Sequence, residues 1–413
     1  MNRKFFLFAV VAMILVAIAA CSKDELGIEV IVPQQEQMDS YRVSVDEALR
    51  SAETILRAGD RDTRSAARRV KSTELYVAKP ATRSNENAEV SFYLINYEDN
   101  AGYALVSTDE RTTPVYMYAE EGNITTEAFE EVPPLAIFME EAVANYEAEV
   151  ASYGADEPID IGFPPGMDGR MGILDGEIYY LNIDTTYVNV GPYSCTQWHQ
   201  QDPYGNLCDN LIAGCVPVAM GQIMAYYKHP ASFGDTTFDW ELMTAQPSFS
   251  SATTPGATNV MELLHKIGIT ADADYSDPNS TGVEPGMMPI TFLLWGYSCS
   301  MLNTYSSNTI INDLNSGKPV IAGGYRYNEK NEYVGHSWVI HGYHCIRQIQ
   351  RYYYTTPPYE LHTTIINPTY YFRNNLGQKT TGYHDLYLLD TEFIYPIDKK
   401  MITGIEPYID YIN

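Results

Sequence analysis

The segment formed by residues 211–230 constrains the fold more than any other part of the chain, because it places a cysteine where a buried helix should begin. Beyond Gly214 the apolar residues recur at helical spacing, and Pro217 suits a first helical turn. We therefore predict a helix that begins at Cys215. Backbone N–H groups and the helix dipole at that end favour thiolate over thiol, which makes Cys215 a candidate nucleophile. The alternative is an inert buried cysteine.

A pair of predicted strands further along the chain carries a histidine. Residues 318–325 and 333–343 both have strand-like patterns, and the polar, turn-forming residues 328–331 lie between them. Together they predict a β-hairpin in which His336 lies among large apolar side chains on one face. A histidine in that position is either a packed core residue or a positioned base.

These two features are more specific together than apart. A cysteine that opens a helix in an α-rich half, followed much later by a histidine on a strand in a β-rich half, is typical of a two-lobed papain-like enzyme. Three blocks of the sequence also resemble the streptopain-like cysteine peptidases, in order and in rough spacing. The blocks are Thr196-Gln-Trp-His-Gln-Gln-Asp-Pro-Tyr204 with Cys208, Ala213-Gly-Cys-Val-Pro-Val-Ala-Met-Gly-Gln-Ile-Met224, and Gly335-His-Ser-Trp-Val-Ile-His-Gly-Tyr343.

The resemblance implies an α+β fold, with a papain-like two-lobed catalytic domain preceded by a smaller α+β prosegment. It also implies that Cys215 is the nucleophile and that His336 takes its proton and later protonates the leaving amine. Gln200 resembles the side chain of an oxyanion hole, where the loss of one donor typically costs about 3 kcal/mol of barrier. An ordinary surface amide is the alternative for Gln200.

The sequence departs from the family where a third residue should orient His336. The family asparagine is usually followed by a Trp-Gly-Trp-Gly-Gly run, and we assign it to Asn367, although Pro368-Thr-Tyr-Tyr follows here. Two further departures are His341, where the family commonly has aspartate, and Pro217, where it has a small residue. These changes leave open a second function class, a noncatalytic papain-fold surface lipoprotein that binds peptides or host proteins.

The first residues predict export from the cytoplasm. Arg3 and Lys4 precede an apolar run over residues 5–20, which closes with Ile-Ala-Ala before Cys21. This pattern resembles a bacterial lipoprotein signal, in which Cys21 is lipidated and becomes the mature N-terminus. A transmembrane anchor is the alternative, although the run is short for a membrane span. We expect an outer-membrane lipoprotein on the periplasmic or surface side, bound to the membrane only by its lipid, with release after processing as an option.

A separate domain is predicted between the N-terminal address and the catalytic region. Ser44-Val-Asp-Glu47 is a capping box that opens a helix to about Ala58. Four strand candidates follow, and a helix after Pro133-Pro134 ends near Tyr153. This order resembles the prosegment of the streptopain-like family, which implies an intramolecular inhibitor. We predict a signal peptide at 1–20, a tether at 21–43, the prosegment at 44–153, an exposed cleavable junction at 154–178 and the peptidase at 179–413.

Composition and charge exclude some classes of binding partner. The 413-residue chain carries a formal net charge of −27, which argues against nucleic acid and anionic membranes as ligands. The family resemblance implies protein or peptide substrates and the chain's own prosegment as partners. His341, His344 and Cys345 lie close in sequence, but they would not converge on one ion without a sharp turn, so we predict neither a metal nor a cofactor. Disulfide pairing stays open among cysteines 195, 208, 299 and 345.

Overall fold

The computed structural model describes residues 41–59, 68–78, 90–153, 159–162, 170–174, 177–194, 196–327, 333–354, 361–377, 385–391 and 398–408. The signal region, Cys21, Cys195 and the predicted turn at 328–331 lie outside the described residues. Within the described part, no helix has the length and apolar character needed to cross a membrane.

The described residues combine helices with one large antiparallel sheet. The helices are α1 (Val45–Gly59), α2 (Ala128–Glu131), α3 (Pro133–Ser152), α4 (Cys215–Tyr227), α5 (Trp240–Met243), α6 (Pro255–Thr270), α7 (Met287–Leu294) and α8 (Ser307–Asn315). The strands of the N-terminal half are β1 (Val70–Ala78), β2 (Val90–Tyr97), β3 (Tyr103–Ser107), β4 (Val115–Ala119), β5 (Ile159–Gly162), β6 (Arg170–Leu174) and β7 (Glu177–Val190). Those of the C-terminal half are β8 (Ser232–Phe233), β9 (Thr236–Thr237), β10 (Tyr297–Leu302), β11 (Val320–Tyr327), β12 (Tyr333–Tyr354), β13 (Leu361–Asn375), β14 (Asp385–Leu389) and β15 (Asp398–Pro407).

The sheet joins the N-terminal strands to the C-terminal ones. Its order is β1-β2-β3-β4-β14-β13-β12-β11-β15-β10, and β7 pairs with the outer part of β12. The join is the pairing of β4 with β14, in which Tyr118 lies opposite Tyr387 and Met117 opposite Leu388. The mixed α+β fold class is therefore confirmed, with the predicted prosegment bound through backbone hydrogen bonds as well as through side chains.

The N-terminal elements agree with the local sequence signals. The Ser44 N–H donates to the Glu47 carboxylate at 2.9 Å, and the Glu47 N–H donates to the Ser44 hydroxyl at 3.3 Å, so the capping box is confirmed. Strands β1 to β4 and helix α3 also form where they were predicted. Phe92 makes edge-to-face contacts with Tyr116 and Tyr146, which pack α3 onto the sheet.

Helix α4 begins at Cys215, as the sequence predicts. Gly214 precedes it with a φ of 92°, and an added Cβ there would lie 3.0 Å from the Thr281 side chain, so this position requires glycine. The helix ends at Tyr227, where Lys228 adopts a left-handed conformation. Every residue of α4 from Val216 to Ala225 is buried, because the helix packs on the sheet on one side and on α6 on the other.

Part of the predicted junction at 154–178 forms β-strands. Strands β5 and β6 form a hairpin within it, and β6 pairs with β7, which in turn pairs with β12. The composition of this region is rich in Gly, Pro and Asp, which favours turns, but backbone pairing with a neighbouring strand overrides that preference. The predicted junction therefore contains a β-hairpin, and its cleavage stays a prediction.

Strand β13 runs beyond the end predicted from the sequence. A proline within a run of strand residues favours a strand end, but β13 continues past Pro368 to Asn375. The pairing with β12 shifts register between Ile346 and Gln348, so Pro368 lies beside a bulge. A bulge leaves one residue without a ladder partner, which is how a strand can accommodate a proline.

The cysteines in the described part of the chain are not cross-linked. Cys208, Cys215, Cys299 and Cys345 are free thiols. Burial raises the pKa of Cys208, and it raises that of Cys299 to about 11. Both thiols are therefore poor nucleophiles near neutral pH.

A buried histidine lies at the join between the two parts of the sheet. Nδ1 of His344 and the Tyr118 hydroxyl are 2.7 Å apart, so a β12 side chain binds a β4 side chain directly. Tyr187 and Tyr371 lie against the imidazole from β7 and β13. His344 is fully buried, and burial lowers its pKa to about 4.

We predict that His344 makes the full-length chain less stable in mild acid. In the unfolded state the imidazole binds a proton below about pH 6.5, whereas in the fold it does so only near pH 4, so stability falls as the pH drops through that window. The loss approaches about 3 kcal/mol at the acid end. Urea unfolding of the Cys215→Ala chain at pH 7 and pH 4.5, with and without His344→Asn, measures it. An equal pH dependence in both proteins contradicts the prediction.

Candidate active site

The predicted nucleophile lies beside the predicted base. Cys215 is half-buried at the first residue of α4, and its sulfur is hydrogen-bonded to the His336 side chain and to the backbone of Ser337 and Val216. Burial alone raises the pKa of this thiol, but the charge and hydrogen bond of His336 outweigh burial, so the pKa lies below its ordinary value. Cys215 thus has the electrostatic environment of a reactive thiolate.

His336 is held by a backbone carbonyl on its far side. Nε2 lies 2.8 Å from the Leu376 oxygen, and a carbonyl can only accept, so Nε2 carries the proton. This leaves Nδ1 for Cys215. Burial lowers the pKa of His336, but Cys215 and the Leu376 carbonyl raise it by more, so the pKa lies above its ordinary value. A lowered thiol pKa and a raised imidazole pKa together favour a thiolate–imidazolium pair.

Trp338 covers the imidazole from the same strand. Its ring lies nearly parallel to that of His336, with centroids 6.3 Å apart, and its Nε1 donates to Asn374 at 2.8 Å. The indole is therefore fixed to β13 while it shields one side of the histidine. Shielding of this kind keeps water from competing for the ion pair.

Gln200 is positioned by its backbone. Its carbonyl accepts from the Ala213 N–H at 2.8 Å, two residues before Cys215, and its side chain is half-buried. The carbonyl of Trp198, two residues earlier, accepts from Gln222 at 2.9 Å. The segment that carries Gln200 is thus fastened to the turn before α4 through Ala213 and to α4 itself through Gln222.

The structure does not bring Asn367 to the histidine, so that assignment was wrong. In the β12–β13 register Thr369 lies opposite Ile346 and Ile366 opposite Gln348. Asn367 is therefore level with a point eleven residues along β12 from His336, about 36 Å away at the usual rise per residue. No rotation of its side chain spans that distance.

A different asparagine lies beside the site. Asn375 ends β13, opposite Val339, and is followed directly by Leu376. Its side chain donates to the Thr196 carbonyl at 2.6 Å and accepts from Gln222 at 3.0 Å and from the Gly377 N–H at 3.3 Å. Asn375 therefore fixes the chain on both sides of the carbonyl that binds His336.

The sequence contained a signal for Asn375 that was missed. Asn375-Leu-Gly377 matches the first and third positions of the expected Asn-Trp-Gly run, and leucine replaces the tryptophan. The signal was missed because Pro368 was interpreted as the end of the strand. Leu376 is fully buried in the core that the N-terminal domain shares with β13 and β14.

The remaining histidines of this region have structural partners. His341 Nε2 lies 3.1 Å from Asp385, which is also bound by Arg373, and His341 Nδ1 accepts from the Ser194 N–H at 3.3 Å. His344 binds Tyr118, as described above. No group of three or more His, Cys, Asp or Glu side chains suited to a metal ion occurs in the described part of the chain.

Helix α3 of the N-terminal domain covers the face of the sheet that carries His336. Ile137, Phe138 and Glu141 line one small cavity together with Trp338 and Leu376. The cavity measures about 50 Å³, which holds a few waters but no peptide. The face beside the catalytic pair is therefore occupied by the chain's own helix.

Comparison with known families agrees with this geometry. Residues 198–385 match the model of the Peptidase C10 family, and residues 40–145 match that of the Spi protease inhibitor. This part of the chain is similar to the Peptidase C10 family. The chain is thus a cysteine-type peptidase with an inhibitory prosegment, the organisation of a zymogen. No curated protein matches the chain significantly.

One solved structure has a similar fold over most of the chain. A prointerpain A fragment from Prevotella intermedia, in a cysteine-to-alanine mutant, is 19% identical, with a TM-score of 0.51 over 82% of this chain and 100% of that one. Active wild-type interpain A from the same organism is 21% identical, with a TM-score of 0.38 over 52% of this chain and 94% of that one. The first match supports the papain-like fold with a prosegment.

We predict that Asn375→Ala lowers kcat while Asn367→Ala does not. Loss of the Asn375 amide frees the Leu376 carbonyl and so the imidazole, and a misplacement of about 1 Å can cost roughly a hundredfold in rate. Peptide hydrolysis by the two variants, which delete the same group from the same strand, provides the comparison. A normal kcat in Asn375→Ala, or an equal loss in both variants, would show that the Leu376 carbonyl does not depend on Asn375.

We predict that the reactivity of Cys215 in mild acid depends on His336. The wild-type thiol should alkylate with iodoacetamide at pH 6 nearly as fast as at pH 8, because the ion pair keeps it ionised. In His336→Ala the charge and hydrogen bond of the imidazole are lost while burial remains, so the thiol pKa should rise and the pH 6 rate should fall at least about tenfold. Mass spectrometry of the peptide that contains Cys215 measures the rates, with Cys215→Ala as the control. Equal pH 6 rates would contradict the ion pair.

Proposed function

We propose that this chain is an exported, lipid-anchored zymogen of a cysteine endopeptidase that hydrolyses peptide bonds through a thioacyl intermediate on Cys215. The observation that carries the proposal is the contact between Cys215 at a helix N-terminus and His336, with the two pKa values displaced in opposite directions. A buried structural cysteine has a raised pKa instead, as Cys208 and Cys299 do.

In the proposed mechanism the thiolate of Cys215 attacks the scissile carbonyl carbon and the C=O electrons move to oxygen. The backbone N–H of Cys215 and the side-chain amide of Gln200 donate to that oxyanion. Imidazolium Nδ1 of His336 then gives its proton to the leaving amine as the C–N bond breaks. A water molecule, deprotonated by the same nitrogen, attacks the thioester and releases the acid, which regenerates the thiolate and the imidazolium.

Each ring nitrogen of His336 then has one role. Nε2 stays protonated on the Leu376 carbonyl through the whole cycle, so Nδ1 is the only nitrogen that exchanges protons with Cys215 and substrate. A carbonyl cannot take up this proton, hence it orients the ring without changing charge. Asn375 and Gln222 act one step further out, because they hold the carbonyl and the nucleophile helix in one hydrogen-bonded frame.

Inhibition follows from the position of α3. A substrate backbone needs the surface beside Trp338 and Leu376, and α3 with its apolar residues covers that surface. We propose that activation requires cleavage between about residues 154 and 178, after which β4 must also separate from β14. The lipid on Cys21 would keep the processed prosegment, not the peptidase, at the outer membrane, which gives release after processing a physical basis.

We predict that Cys215→Ala abolishes peptide hydrolysis without unfolding the chain. The substitution removes only the sulfur, and loss of the nucleophile in such enzymes costs on the order of 10⁴ to 10⁶ in kcat. Hydrolysis of a casein substrate and circular dichroism of both proteins test this. Residual activity above about a hundredth of wild type contradicts the assignment of the nucleophile.

We predict that the full-length chain is nearly inactive and gains activity as it shortens. Mass spectrometry of a wild-type preparation over time should show a new N-terminus between about residues 154 and 178, while Cys215→Ala stays at full length if the chain processes itself. A full-length chain with the activity of the shortened one would show that the prosegment does not inhibit.

A further inference from the structure

A buried ion pair joins the prosegment to the face of the sheet that carries His336. Nζ of Lys399 on β15 lies 2.8 Å from the Glu141 carboxylate on α3, and 15% and 11% of the two side chains are exposed. The Thr391 hydroxyl lies 3.5 Å from the other oxygen of Glu141. Burial raises the pKa of Glu141. The charge of Lys399 lowers that pKa, but by less than burial raises it. Removal of one partner of a pair this deeply buried strongly destabilises the fold, because the other charge is left buried and unpaired.

The strand register places Lys399 near the catalytic histidine. His336 on β12 lies directly opposite Gly324 on β11, and Gly324 lies directly opposite Lys399 on β15. Directly paired residues share one face of a sheet, so both side chains project to the same side. Two strand spacings separate their Cα atoms by about 10 Å. Because Gly324 has no side chain, the sheet surface between His336 and Lys399 is not filled by a residue of β11.

The residues of α3 that fill this space form a single stripe. Pro134, Ile137, Phe138 and Glu141 follow helical spacing and line one cavity with Gly324 and Lys399. The apolar members lie over Trp338 and Leu376, and Glu141 reaches Lys399. The prosegment therefore presents an apolar anchor and a carboxylate to the cleft.

Removal of the prosegment changes the charge of this pocket. Lys399 loses the Glu141 carboxylate while its ammonium stays 4.4 Å from the ring centroid of Tyr305, which keeps it near the same place. A positive charge in a partly buried pocket attracts a replacement anion strongly. The most available replacement in a peptidase cleft is an acidic side chain of the substrate.

We propose that Lys399 forms the charged end of a substrate subsite that takes a Glu or Asp side chain of a peptide, within about three residues of the scissile bond, and that Glu141 occupies this subsite in the zymogen. The inference rests on the proposed peptidase function and adds a substrate class to it. The limit of three residues follows from the 10 Å separation and the rise of an extended peptide.

A charge exchange in the full-length chain tests the pocket without any turnover. Glu141→Lys and Lys399→Glu each place like charges together, so α3 should loosen and the Cys215 alkylation rate should rise about tenfold. The double variant restores an opposite pair and should return the rate to within about threefold of wild type. Faster alkylation in both single variants without recovery in the double variant would overturn the proposal, and so would unchanged rates in all three.

Matched peptides test the specificity of the processed chain. Pairs that differ only by Glu or Gln are compared at each of the three positions on either side of the scissile bond. The wild-type kcat/KM ratio of Glu to Gln should reach about ten at one position, fall to about one in Lys399→Met, and drop below one in Lys399→Glu. Lys399→Arg keeps the charge and should keep the preference.

Lys400→Met is the matched control. Lys400 is the next residue of the same strand, projects to the opposite face and pairs with Asp398 at 3.2 Å, so its loss should leave the Glu to Gln ratio unchanged. Cleavage of all peptides with a ratio near one overturns the proposal while the peptidase function stands. If no peptide is cleaved, the proposed function fails, and the charge exchange alone decides whether Lys399 recognises a carboxylate.

Discussion

The hydrogen bond from His336 to the Leu376 carbonyl is the contact on which the arrangement of the site depends. It selects the tautomer, because a carbonyl accepts only from a protonated Nε2, and it thereby directs Nδ1 to Cys215. Leu376 lies in the short segment directly after β13, so its carbonyl is fixed only because Asn375 binds the chain on both sides of it. Gln222, on the buried face of α4, binds that asparagine and so ties the orientation of the base to the helix of the nucleophile.

The same sheet also carries the inhibitory domain. Because β4 pairs with β14, the prosegment extends the sheet of the peptidase, and α3 lies across the face from which His336 projects. Two of the polar contacts that hold this arrangement are the His344–Tyr118 hydrogen bond and the Lys399–Glu141 ion pair. Both cost desolvation and give direction, since they are satisfied only when the prosegment is docked in this register.

Local signals in the sequence were sufficient wherever the structure depends on near neighbours. The capping box at Ser44, the start of α4 at Cys215 and the hairpin that carries His336 all follow from residues within a few positions of one another. The family likeness added the pairing of Cys215 with His336, which no local pattern contains. Asn367 failed for the opposite reason, because Pro368 indicates a strand end locally and only the bulge in the β12–β13 ladder shows that the strand continues.

The sequence by itself therefore determined the fold class, the helix that begins at Cys215 and the strand that carries His336, since helix caps and strand alternation depend on residues close together in the chain. Tertiary structure alone decided which backbone carbonyl orients the base, which asparagine supports it, and that Lys399 lies two strands from His336. These are contacts between segments that are distant in sequence, and a register shift of one residue would have moved every side chain to the other face. The register is set by the packing of whole strands, which no short motif records.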